Sequence, residues 1–175
     1  MTPREFDELI DEIIDERNDR SLIILCSSII DEQLYSILEK FLLKPDKKKE
    51  DDILKGDNPL STFSSRIKII YRLGLVDKTF RDILDQIRKV RNECAHRVSI
   101  NIEKAPIKDH LKNIKEEMMQ RQSYKLCIDR YFEGNIDKKN ELKALFSTVC
   151  IILKAINESL EEVSENQVTI NISKK

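Results

Sequence analysis

The chain has 175 residues, 40% hydrophobic, 36% charged and 6% aromatic, with three Gly, four Pro and no Trp. That length buries a core in one domain without metal or disulfide support, and so few turn residues exclude an all-β protein, leaving an all-α fold. Thirty-one Lys and Arg against 32 Asp and Glu leave a net charge of -1, so no overall positive field draws in nucleic acid.

In "MTPREFDELIDEII" the residues Phe6, Leu9, Ile10, Ile13 and Ile14 form one helical stripe, with Thr2 as N-cap, Pro3 in the first turn and Glu5 at the capping-box position. This helix is expected to end near Asn18, and its acidic start is not a signal peptide. "DRSLIILCSSIIDEQLYSILEKFLLK" follows, apolar nearly all round in its first half, which marks a central helix enclosed by neighbours. Its longest apolar run, "LIILC", falls far short of the roughly 20 residues that cross a bilayer. A cytoplasmic protein without membrane contact is therefore expected. "PDKKKEDD" is an exposed linker and "GDNPL" a turn.

"STFSSRIKIIYRLG" carries Phe63, Ile67, Ile70 and Tyr71 at helical spacing and stops at Gly74. The short connection beyond it demands an antiparallel neighbour, the helix from about Lys78 to His96, whose stripe is Phe80, Ile83, Leu84, Ile87, Val90 and Cys94. The β-branched alternation and proline of "RVSINIEKAP" take the chain out of helix after His96. Weaker helices are expected around Ile107 to Gln120 and Tyr124 to Phe132, and a long one from about Asp137 to Val163. The bundle of five to seven helices fills one domain, residues 1–165, and the strand-like residues 166–175 form a flexible tail. Cys26, Cys94, Cys127 and Cys150 are far apart with no C-x-x-C pair, so they are expected to be buried free thiols, with no metal site and no cofactor.

The stretch "RKVRNECAH" sets Arg91 five residues before His96, one of only two histidines. At 100° per residue from Phe80, the apolar stripe spans about 280° to 40°, with Arg91 near 20° and Asn92 and His96 near 120° and 160°. An arginine on a core face needs a carboxylate, a wet cleft or another subunit, because it cannot shed its proton. Arg66 also lies at the edge of an apolar arc, and Asp31 and Glu32 interrupt the central helix. The periodicity therefore predicts a buried ion network of Arg66 and Arg91 with Asp31 and Glu32. His96, in the last turn, reads from spacing alone as a C-terminal capping residue.

"GDNPLSTFSSRIKIIYRLGLVDKTFRDILDQIRKVRNECAH" resembles the central signature of the MltR (mannitol operon repressor-like) family, with its G-D-x-P-L turn, F-S-x-R-I, Y-x-L-G-L and closing R-N-x-x-A-H. "DRSLIILCSSIIDEQL" is similar to the family's earlier helix, with Asp19, Arg20, Asp31 and Glu32 at its polar positions. Together the two segments cover about a third of the chain. The resemblance implies a regulatory protein, a transcriptional repressor or co-regulator, and Arg20, Asp31, Glu32 and Arg66 are expected as structural ion partners. The chain lacks a helix-turn-helix with a basic recognition face, a zinc finger and a basic arm. Regulation is therefore expected through a protein partner, without sequence-specific DNA binding.

The closing R-N-x-x-A-H also resembles the R-x4-6-H motif of HEPN domains, dimeric helical bundles that include metal-independent endoribonucleases. That likeness implies a homodimer acting on RNA. His96 would transfer protons, Arg91 would stabilise the phosphorane, and Asn92 would orient the imidazole or bind phosphate. The match departs from toxin-like members in having Arg97 after His96 and no nearby Tyr or second His. The longer resemblance puts the regulator first and the endoribonuclease second.

Overall fold

The computed structural model describes residues 2–44, 53–97 and 99–162. The Thr2 hydroxyl accepts the Glu5 N–H at 3.2 Å and the Glu5 carboxylate accepts the Thr2 N–H at 2.7 Å, and this reciprocal cap starts α1 (Pro3–Asp15). The helix stops three residues before Asn18, because Asn18 caps the next one, its Oδ1 accepting the Ser21 N–H at 3.0 Å. From there α2 runs Asp19–Phe41.

Thr62 caps α3 (Phe63–Arg72), and Gly74 ends it with φ +74°. The Leu75 N–H bonds the Ile70 carbonyl and the Gly74 N–H that of Tyr71, so the left-handed glycine lets the chain satisfy the last turn and reverse. Asp77 caps α4 (Lys78–His96), and α5 (Ile107–Met118) and α6 (Gln122–Tyr131) follow. Asp137 caps α7 (Lys138–Ser159), which ends four residues before Val163. Among the described residues there are seven helices and no strand. The segment "RVSINIEKAP" supplies neither in its described part, and the "PDKKKEDD" linker and the 166–175 tail lie outside the described residues.

The core gathers around α2, which packs on α7, α4, α3 and α1, while α5 lies on α4 and α6 on α7. All six stripe residues of α4 are buried in one core with Leu22, Ile23, Cys26, Ile30, Leu34 and Ile37 of α2. Each such aliphatic side chain contributes about 1.5 to 3 kcal/mol on burial. By length and composition α2 could cross a bilayer, a property missed by counting only its uninterrupted apolar run, and here its neighbours bury half of that window. Polar ties fix its register on α7: Gln33 Nε2 donates to the Cys150 carbonyl at 3.1 Å and Asn157 Nδ2 to Ser36 Oγ at 2.9 Å. The four cysteines are free and buried.

Candidate functional site

Arg66 is the most heavily engaged charge in the molecule's centre. Its Nη1 donates to Asp31 Oδ1 at 2.8 Å, its Nη2 to the Leu54 carbonyl at 3.1 Å and its Nε to the Leu60 carbonyl at 3.2 Å. The guanidinium also lies over the Tyr35 ring, 5.2 Å from its centroid. One arginine on α3 thus clamps the G-D-x-P-L turn to α2, a task that needs a planar fork with donors in several directions.

Beside this clamp, α2, the N-terminus of α3 and α4 leave a cleft of about 390 Å³. Ser27, Ser28 and Asp31 come from α2, Ser61 to Ser64 from the start of α3, and Arg88, Arg91 and Asn92 from α4. Asp85 holds Arg88 at 2.7 Å and Arg66 holds Asp31, whereas Arg91 makes only a 3.4 Å contact with Asn92 Oδ1 among the described residues. Ser27 Oγ is buried and has no hydrogen-bond partner among the described residues. The hydroxyls were passed over in the sequence; the signal that could have marked them is the "SS" pair interrupting the apolar run of α2.

Of the predicted ion network, the Arg66–Asp31 pair forms at 2.8 Å, and the expected places of Arg91 and Glu32 in it are corrected. Arg91 is exposed and pairs with neither Asp31 nor Glu32; it lines the cleft, while Val90 and Cys94 of the same stripe stay in the core. Asn92, expected to face away from Arg91, lines the same cleft. Glu32 is exposed and lines a different groove with Leu9, Gln33 and Lys154. Adjacent helix positions point about 100° apart, so Asp31 and Glu32 cannot both face Arg66. Arg20 is half-buried at the start of α2, where its charge acts on the Cys94 thiol, and eleven residues of helix, roughly 16 Å, separate it from Asp31. His96 is exposed in the last turn of α4 and does not line the cleft that holds Arg91 and Asn92.

Titration in the fold follows burial. Burial pushes all four thiols up, Cys150 to about 12, and pushes Tyr124 and Tyr131 to about 12. These groups are neutral at physiological pH and supply no reactive thiolate. Among the described residues no group of three or more His, Cys, Asp or Glu could hold a metal.

No family model matches the chain, and no curated protein matches it significantly. Solved structures do. A possible transcriptional regulator, YggD from Shigella flexneri 2a, superposes with a TM-score of 0.63 at 16% identity, over 86% of this chain and 98% of its own. A chain of the X-ray structure of the MtlR–HPr complex from Escherichia coli superposes with a TM-score of 0.57 at 17% identity, over 87% of this chain and 96% of its own. At these identities the likeness establishes the fold, an MtlR-like helical bundle.

Proposed function

We propose that this protein is a regulator of the MtlR type that works by binding a protein partner. The observation that carries the reading is the likeness over nearly the whole length of a chain crystallised with HPr, since the correspondence includes the bundle and not one helix pair. The charge balance and the lack of a basic recognition element add to it, because binding to DNA alone would rest on phosphate contacts this surface does not concentrate. The endoribonuclease reading gains no comparable support, since the cleft that takes Arg91 and Asn92 leaves His96 outside. Calorimetric titration of the purified protein with the HPr of its own source genome is the test. A saturable one-to-one complex is expected, with no shift of promoter DNA by the protein alone at physiological salt. Absence of an HPr complex together with a nanomolar, sequence-specific DNA complex would overturn the reading.

A further inference from the structure

We propose that the cleft between α2, the N-terminus of α3 and α4 binds a dianionic phosphoryl group, as inorganic phosphate or a small phosphate monoester. Four features of different kinds converge on it. Arg91 stands exposed at its wall with one weak side-chain contact, while the other arginine there, Arg88, is held by Asp85. A strong, permanently charged donor is thereby presented to the cavity.

Ser27 lines the cleft, and its hydroxyl is buried and unsatisfied among the described residues. A serine inside a helix commonly returns its proton to the carbonyl four residues earlier, as Ser28 does to Ile24 at 3.0 Å; Ser27 does not. A buried hydroxyl without a partner is unfavourable, and a ligand oxygen in the cleft would relieve it.

The first turn of α3 supplies the third feature. Among the described residues no group accepts the N–H of Phe63 or Ser64, and no acidic residue stands in that turn to offset the positive end of the helix. Such a terminus favours an anion. Finally, the one carboxylate lining the cleft, Asp31, is bonded to Arg66, so it does not cancel Arg91.

The class of anion follows from the directions of these donors. A guanidinium, a hydroxyl and backbone amides come from three separate elements, and a phosphoryl group has three terminal oxygens to meet them, where a carboxylate has two in one plane. A phosphodiester likewise offers only two free oxygens. The volume of about 390 Å³ lies within the roughly 300 to 1,000 Å³ of small-molecule sites and leaves room for an ester substituent.

The site stands independently of any protein partner, so the test uses the purified full chain alone. Inorganic phosphate and glycerol phosphate are titrated at constant ionic strength, with chloride as control, and binding is read by calorimetry and by the shift in melting temperature. Saturable binding with a Kd of about 1 mM or tighter is expected. Ser27→Ala and Arg91→Ala should each weaken it about tenfold or more. Ser27→Ala should not lower the unliganded melting temperature, because its hydroxyl has no partner to lose. Tighter binding of the ester identifies a phosphorylated metabolite as the ligand, and equal affinities identify phosphate itself. No saturable binding, or binding unchanged in both variants, overturns the site.

Discussion

Replacing Arg66 by alanine removes one side chain and strands three acceptors. Breaking a buried ion pair costs about 3 to 5 kcal/mol, most of it from the charge left behind. The Arg66 side chain is 10% exposed but that of Asp31 is 32% exposed, so water can reclaim part of the carboxylate and the lower end of the range applies. The Leu54 and Leu60 carbonyls, released with it, add a fraction of a kcal/mol each after the turn relaxes toward solvent. The expected loss is about 3 kcal/mol, or roughly 6 to 12 °C in melting temperature for a domain of this size. Urea unfolding followed by far-UV circular dichroism measures it. Arg66→Lys should recover only part, since an ammonium cannot reach Asp31 and both carbonyls in the geometry of a fork. A loss below about 1 kcal/mol for Arg66→Ala would refute the clamp.

Arg91→Ala, an exposed substitution, should change stability by no more than about 0.5 kcal/mol in the same assay, and a loss like that of Arg66 would restore the buried network. Native protein should react with a thiol reagent at pH 8 only after unfolding, and prompt labelling of any of the four cysteines would contradict their burial. Because folding raises the pKa of these thiols and of Tyr124 and Tyr131, the stability they contribute is complete below the unfolded values and is lost as pH rises toward about 12; melting temperatures should fall through that alkaline range. Burial alone would raise Asp77, but the Phe80 N–H and Arg121 outweigh it and lower the carboxyl. The α4 cap therefore weakens as pH drops below about 4, and Asp77→Ala should cost about 1 kcal/mol at neutral pH, measured by urea unfolding, with the difference from wild type shrinking in acid.

The helices were legible because their signals are local. Thr2 is a strong cap, Gly74 a strong stop, and the stripe from Phe80 to Cys94 has one unambiguous period, whereas Asn18, expected as the end of α1, caps α2 instead. The site was only half legible, since a helical wheel gives the direction of a side chain but not what stands opposite it. Arg66 lies at the edge of its apolar arc and Arg91 inside its own, yet Arg66 meets a carboxylate and a turn while Arg91 meets an opening, and that difference is made by the placement of three helices. The Ser27 hydroxyl left a trace in the sequence, as half of the serine pair that interrupts the apolar run of α2, but nothing there says what it faces.

The tie between Gln33 and the Cys150 carbonyl spans 117 positions of chain, and it sits in the widest contact that α2 makes with any helix. During synthesis, then, α2 is made early and its widest neighbour last. Until α7 emerges, a segment with the length and apolar character of a bilayer span has one flank open to water, to chaperones and to the machinery that sorts membrane proteins. The polar residues Asp31, Glu32 and Gln33 in the middle of α2 lower its affinity for lipid during that interval, a use for them that ends when the bundle closes.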